Sequence, residues 1–246
     1  MPPPRADWAY FFDIDGTLVE IAEHPSEVRL DGDLRGLIKV WHERTGGAVA
    51  LISGRSITEI DRIYSGELLP AAGQHGIERR NAEGHIFTHE FSAALLARAR
   101  ARLIENLSRH PGIVIEDKGH SVALHYRQAL PLASYSHKLL RSLVSEAGPE
   151  FAVQTGKRVV EIKPAGKDKG VAVMEFMSEE PFIGRTPVFV GDDTTDEYGF
   201  VVVNGMDGHS VKVGAGKTAA KWRLRDVDAV RSWLEAGLST AEDDSQ

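Results

Sequence analysis

Two aspartates one residue apart, Asp13 and Asp15, follow directly on the apolar run Tyr10-Phe11-Phe12. Such a run suits a buried strand, but a core has no use for two carboxylates at the strand's end. On a strand, residues two apart point the same way, so both carboxylates would share a face with their Cα atoms about 6.6 Å apart. Gly16 then lets the backbone turn sharply. Three further apolar runs end in the same manner: Ala48–Ile52 on Ser53, Leu69–Gly73 on Gln74 and His75, and Pro187–Val190 on Asp192 and Asp193. In open parallel sheets ligands bind outside the carboxyl ends of the strands, so these polar clusters are expected at one place. Asp13, Asp15 and Asp192 offer hard oxygen donors with no imidazole or thiolate, a set suited to Mg²⁺. Carboxylates so crowded repel by about 4 kcal/mol per pair at about 4 Å and an effective dielectric of about 20. A divalent cation would relieve that repulsion and draw a phosphate in.

The elements that must position these groups alternate. Asp33 to Arg44 carries Leu34, Leu37, Ile38 and Trp41 at helical spacing and stops at Gly46-Gly47. After the strand ending on Ser53, Ser56 and Glu59 form a capping box for the next helix. Up to Gly73 the pattern is β-α-β-α-β, which indicates a parallel sheet covered by helices. Ile21 to Leu30 reads as a loop and Asn81-Ala82-Glu83-Gly84 as a hairpin-type turn. Then the rhythm changes. A helix over Ala94–His110, strands at Ile113–Glu116 and Ser121–Tyr126, a helix over Tyr135–Ala147, and strands at Phe151–Val153 and Val159–Ile162 make an αββαββ module with an antiparallel sheet. Parallel rhythm returns with a helix over Lys169–Met177, the Pro187–Val190 strand, a helix capped by Thr194 and Glu197, a strand at Ser210–Val213 and a helix over Val227–Glu235. The expected fold is α/β: a Rossmann-like core over residues 1–88 and 163–246, with an α+β domain inserted at 89–162.

Composition narrows the function. With 246 residues, 42% hydrophobic and 26% charged, the chain resembles a globular enzyme. A formal net charge of -7 argues against nucleic-acid binding, and Arg98, Arg100 and Arg102 read as a solvated helix face. No stretch approaches the roughly 20 apolar residues of a membrane span. Met1–Tyr10 has no apolar run of the kind a secretory leader needs. The chain has no cysteine, which suits a reducing, cytoplasmic setting. Glu242–Gln246 reads as a frayed tail. Gly216-Lys217-Thr218 looks like the end of a nucleotide-binding P-loop, but position 211 is Val where the first glycine belongs.

Asp13-Ile14-Asp15-Gly16-Thr17, Ser53, a lysine near Lys169 and Gly191-Asp192-Asp193-Thr194-Thr195-Asp196-Glu197 resemble, in order, the four motifs of the haloacid dehalogenase superfamily. More narrowly, the chain resembles the trehalose-6-phosphate phosphatase family. The stretches that carry this are Ser53-Gly54-Arg55, Gly73-Gln74-His75-Gly76, Val122–Arg127, Glu161-Ile162-Lys163-Pro164 through Lys169-Gly170, and Val213–Ala220. The resemblance implies a haloacid dehalogenase-like core with an inserted specificity cap. It also implies Mg²⁺-dependent hydrolysis of a sugar phosphate, trehalose 6-phosphate, through an aspartyl-phosphate. Asp13 would be the nucleophile and Asp15 the acid and base, with Ser53 and Lys169 binding phosphate oxygens. Mg²⁺ would lie on Asp13, Asp192 and the backbone carbonyl of Asp15, with Asp193 and Asp196 orienting Lys169 and metal-bound waters.

Lys163 and Lys167 compete with Lys169 for the motif position; Lys169-Gly170 opening a helix would set an ammonium beside the anion site. The resemblance further implies Glu116, Lys118 and Glu161 as partners of the distal glucose, with Arg55, Gln74, His75 and Arg127 also contacting substrate. For His75 a structural turn role is an equal alternative. The cap would close over the sugar and exclude water. A functional link to a trehalose-6-phosphate synthase is expected, and no nucleic-acid or membrane partner. Three alternatives stay open: a phosphatase for sucrose phosphate or mannosyl-glycerate phosphate, a sugar phosphomutase, and a non-catalytic sugar-phosphate-binding module.

Overall fold

The opening apolar run forms β1 (Trp8–Phe12), with all five residues buried. Helices and strands alternate after it: α1 (Gly32–Arg44), β2 (Val49–Ile52), α2 (Ile57–Tyr64) and β3 (Ala71–Gly73). The structure is a computed structural model and describes residues 1–22, 28–107, 110–156 and 158–243. Part of the expected Ile21–Leu30 loop (23–27), residues 108–109 of the expected Ala94–His110 helix and the end of the tail (244–246) lie outside the described residues. The chain forms two compact units, Met1–Phe87 with Asp168–Gln246, and Thr88–Lys167.

In the first unit the chain continues through β4 (Glu78–Arg80) and β5 (Ile86–Thr88). It resumes with α5 (Lys169–Met177), β10 (Thr186–Gly191), α6 (Asp196–Gly205), β11 (His209–Val213), β12 (Trp222–Leu224) and α7 (Val227–Asp243). An eight-stranded sheet runs β12-β11-β10-β1-β2-β3-β4-β5. β12 through β3 pair in parallel, while β4 turns antiparallel to β3. β1 lies between β2 and β10, so the strand order reverses there, which is where open sheets leave a crevice for ligands. Phe12 pairs with Leu51 on one side and Val190 on the other. This register carries Asp13, Ser53 and Asp192 off the sheet at the same carboxyl edge.

Local chemistry explains the helices. Asp31 caps α1 by accepting from the Leu34 N–H at 2.8 Å, and Leu34, Leu37, Ile38 and Trp41 are buried along one face. The Ser56–Glu59 capping box expected for α2 forms with both of its hydrogen bonds. The two faces of β1 feed separate cores. Tyr10 and Phe12 join Leu34, Trp41, Trp233 and Leu234, whereas Ala9 and Phe11 join Phe176, Phe182, Phe189 and Phe200. Each such apolar side chain contributes about 1.5–3 kcal/mol on burial.

Some expectations fail locally. β4, β5 and β12 have three residues each, too short for periodicity to mark them. α7 continues to Asp243, so Glu242 and Asp243 belong to a helix and not to a frayed tail. Thr194 and Glu197 form no capping box: α6 has Thr195 at its N-cap without a side-chain cap bond. Glu197 instead accepts the Ala219 N–H at 2.7 Å, a longer-range partner that no local pattern reveals.

The second unit contains α3 (Ala93–Leu107), β6 (Val114–Asp117), β7 (Val122–His125), α4 (Ala133–Ala147), β8 (Phe151–Gly156) and β9 (Val159–Pro164). Its sheet, ordered β6-β7-β9-β8, is antiparallel throughout. Val122, Leu124, Val160 and Ile162 pack with Leu96, Leu103 and Leu140 of the helices. By strand alternation Glu116, Lys118, His125 and Glu161 share the opposite face. Among the described residues no helix is long and apolar enough to cross a membrane.

Candidate active site

The end of β1 is tied to β10 where the Asp13 N–H donates to the Val190 carbonyl at 3.0 Å. Lys169 opens α5, whose N-cap Asp168 accepts the Val171 N–H at 2.9 Å. The Lys169 side chain is 2% exposed, and its ammonium lies 2.9 Å from Asp13 Oδ1 and 2.6 Å from Asp196 Oδ1. Asp196, wholly buried, accepts the Asp193 N–H on its second oxygen at 2.8 Å. Asp13, Asp192 and Asp196 each bring a carboxylate oxygen to one spot, all within 4.8 Å of one another.

Two glycines make this crowding possible. A Cβ on Gly16 would lie 2.3 Å from Asp192 Oδ2, and Gly16 also holds φ +81, a left-handed backbone that favours glycine. At Gly191 a Cβ would lie 2.3 Å from Asp196 Cγ. Both carboxylates therefore rest against bare backbone.

One ammonium does not balance three carboxylates. Burial, with Asp196 and Asp192 adding repulsion, holds the Asp13 carboxyl well above its ordinary range, although Lys169 pulls it down. Burial and then the Asp196 and Asp193 charges push Asp192 up to about 6, against the pull of Lys212 and Lys169. Burial works against the Lys169 ammonium, but Asp13 and Asp196 more than offset it and raise its pKa above the ordinary value. An excess of buried negative charge on hard oxygens, with neither imidazole nor thiolate in the cluster, fits a small dication such as Mg²⁺.

The other expected residues are distributed unevenly. Asp15 turns to Arg55, which grips both of its oxygens at 2.6 Å through Nε and a terminal nitrogen. The cluster thus contains Asp196 where the side chain of Asp15 is absent. Ser53 is buried beyond β2, its N–H donating to Ala72 O at 2.8 Å and its hydroxyl accepting the Arg55 N–H at 3.2 Å. Gln74 and His75 both hold left-handed backbones, φ 47 and 58. Gln74 Nε2 donates to Glu78 Oε1 at 3.1 Å, and the His75 N–H to the Ser53 carbonyl at 2.9 Å. The His75 ring packs where a Gly54 Cβ would stand, 2.7 Å away, so His75 buttresses the turn after Ser53. Lys163 Nζ donates to the Lys167 carbonyl, and it is the Lys169 ammonium that lies on Asp13. The Asp193 carboxylate accepts the Thr194 hydroxyl at 3.3 Å.

Within the second unit Lys118 Nζ donates to Glu161 Oε2 at 3.4 Å, and His125 Nε2 lies 2.7 Å from Glu116 Oε2. Arg127 lies exposed in the turn after β7, with no hydrogen bond or ion pair to the described residues. Lys212 on β11 was missed from the sequence. Its signal there is a lysine interrupting the valines of Ser210–Val213, and its backbone pairs beside Gly191.

A parallel sheet that carries carboxylates beyond β1 and β10 and a lysine on α5 is the arrangement of haloacid dehalogenase-like proteins, here with an antiparallel second unit. The family described as Trehalose-phosphatase matches residues 11–228. The trehalose-6-phosphate phosphatase of Escherichia coli K12 is 45% identical over 234 residues, covering 95% of this chain and 88% of that one. A probable trehalose-phosphate phosphatase of Sinorhizobium fredii is 40% identical, covering 94% and 87%. Among solved structures, the C-terminal domain of Candida albicans trehalose-6-phosphate phosphatase superposes with a TM-score of 0.81 at 20% identity, covering 92% of this chain and 90% of that one, and supports the fold. The chain belongs to the trehalose-phosphatase family and is an enzyme of that family, a phosphatase.

Proposed function

We propose that the protein hydrolyses trehalose 6-phosphate to trehalose and phosphate, with Mg²⁺, through an aspartyl-phosphate on Asp13. The observation that carries the chemistry is the buried ammonium of Lys169 between Asp13 and Asp196, beside a third carboxylate at the carboxyl edge of β1. The named activity of the 45% identical relative supports the substrate.

In this reading an Asp13 oxygen attacks phosphorus as the bond to the sugar oxygen breaks. Asp15 gives that oxygen a proton, then takes one from the water that cleaves the aspartyl-phosphate. Because Arg55 holds both Asp15 oxygens, the pair must part before Asp15 carries a proton. Lys169 and Ser53 receive the phosphate oxygens as charge develops on them. Asp13, Asp192 and Asp196 would hold Mg²⁺, with the Asp15 carbonyl as a further donor. Bound there, it shields the phosphate from the nucleophile's charge. Asp193 lies outside the cluster and orients its surroundings.

We assign sugar recognition to the second unit, through Glu116, Lys118 and Glu161. Carboxylates and ammonium groups suit hydroxyls because each holds several hydrogen bonds. Arg55, Gln74, His75 and Arg127 complete the proposed substrate set. The proposed domains are a core around an inserted cap, 1–88 with 163–246 and 89–162 by sequence, while the compact units divide at Phe87/Thr88 and Lys167/Asp168, which keeps β9 whole. The cytoplasm is the proposed place of work, and a trehalose-6-phosphate synthase the proposed functional partner.

The test is phosphate release from trehalose 6-phosphate, sucrose 6-phosphate and mannosyl-glycerate phosphate, with and without Mg²⁺, on the unmodified protein and Asp13→Asn. Trehalose 6-phosphate should be turned over best, only with the metal. Asp13→Asn should abolish turnover yet still bind substrate. Equal turnover of another sugar phosphate refutes the substrate, and undiminished release by Asp13→Asn refutes the nucleophile.

A further inference from the structure

Lys212 is 5% exposed, yet its ammonium makes no hydrogen bond or ion pair with the described residues. The stem is packed away while the ammonium keeps some contact with solvent, and a lysine so enclosed calls for an anion nearby, because desolvation opposes its charge. Its place on β11 fixes where it points. Val211 and Val213, on either side, belong to the core shared with Trp41 and Trp233, so Lys212 faces the other way. Ser210 shares that side and donates its hydroxyl to Asn204 of α6 at 2.5 Å. Lys212 lies two residues further toward the carboxyl edge, where α6 begins at Asp196. Its backbone pairs with Gly191, over which the Asp196 side chain lies, and Gly191 immediately precedes Asp192. The charge of Lys212 is felt at Asp192, in opposition to Asp196 and Asp193.

We infer that Lys212 is a second buried cation of the catalytic centre, a positioning residue that balances the carboxylates holding the divalent cation and favours an anion beside them. The inference rests on the phosphatase reading given above. Lys169 is paired directly with Asp13 and Asp196 and acts on Asp192 less than Lys212 does; Lys212, on the strand beside Asp192, supplies the larger opposing charge. A fixed positive charge there has opposite effects on the two ligands. It weakens the hold on a dication, which avoids trapping the metal, and strengthens the hold on phosphate. Burial limits screening by salt, so both effects should persist at physiological ionic strength.

The test is isothermal titration of Mg²⁺ alone, and of inorganic phosphate at saturating Mg²⁺, into the unmodified protein, Lys212→Met and Lys212→Arg. Lys212→Met should bind Mg²⁺ on the order of tenfold more tightly and phosphate on the order of tenfold more weakly. Lys212→Arg should stay within about threefold of the unmodified protein for both. Opposite signs are the signature, since a merely structural role would weaken both ligands together. Should Met pack poorly, Lys212→Gln removes the charge while keeping a polar end. Unchanged affinities, joint weakening, or neutral variants that fail to fold even with Mg²⁺ would overturn the inference. If the unmodified protein bound neither Mg²⁺ nor phosphate, the phosphatase reading itself would fall.

Discussion

Asp192→Asn should make the metal-free protein more stable at neutral pH, though it removes a group proposed to hold the metal. In the folded chain the Asp192 pKa is pushed up to about 6, from an ordinary 3.8, chiefly by burial and by Asp196. A raised carboxyl pKa means the folded state holds the proton more tightly than the unfolded state. The stability Asp192 contributes is thus complete below about pH 3.8 and is lost as pH rises through about 6. That interval corresponds to about 3 kcal/mol, and the partial exposure of Asp192 reduces it to about 1.5 kcal/mol. Asn mimics the protonated form and escapes the loss. In a chain of this length the gain should raise Tm by about 3–6 °C. Melting in EDTA between pH 3.5 and 8 should show Asp192→Asn above the unmodified protein at pH 8 and level with it at pH 3.5. Mg²⁺ at about 100 times its Kd should then restore about 2.7 kcal/mol to the unmodified protein alone and reverse the order. A variant that melts no higher than the unmodified protein at pH 8 in EDTA would refute the reasoning.

Gly16→Ala should fold with reduced stability and lose Mg²⁺ binding, because its Cβ meets Asp192 Oδ2 at 2.3 Å and φ +81 strains any side chain. A loss of about 1–3 kcal/mol by denaturant melting, with no calorimetric Mg²⁺ signal, is the expected result. Glu161→Gln, which removes the charge opposite Lys118, should raise KM for trehalose 6-phosphate by about tenfold with kcat within about threefold. An equal fall in kcat would mean that Glu161 acts on the reacting atoms.

What could be read in advance was whatever the chain writes locally. The apolar run before Asp13, a capping box at Ser56 and Glu59, and Lys169 at a helix start are patterns within a few residues, and each formed its expected element, although Asp15 lies beyond the strand. Partners chosen across the fold were not visible. Nothing near Asp15 in the chain points to Arg55, forty positions on, and nothing near Glu197 points to Ala219. Three-residue strands such as β4 and β12 carry too little periodicity to stand out and owe their existence to the strands beside them. Lys212 was passed over for a related reason: one lysine among valines looks like an edge residue until the neighbouring strand is known. In the same way, the resemblance offered Asp15 as a metal donor through its backbone, while the side chain beside Asp13 and Asp192 is that of Asp196.

The pairing of β1 with β10 has a consequence for the making of the protein. Asp192 follows Asp13 by 179 positions, so at a synthesis rate of roughly 5–20 residues per second the ribosome delivers the second carboxylate about 10–35 s after the first. Through that interval one edge of β1 has no neighbour, and the aromatic residues on both of its faces lack part of their cover. Residues 88–167 emerge in between as one continuous stretch with its own core, free to fold while the N-terminal strands wait. The centre is therefore a late product of translation, and a chain cut short before β10 would carry Asp13 with neither Asp192 nor the strand that secures it.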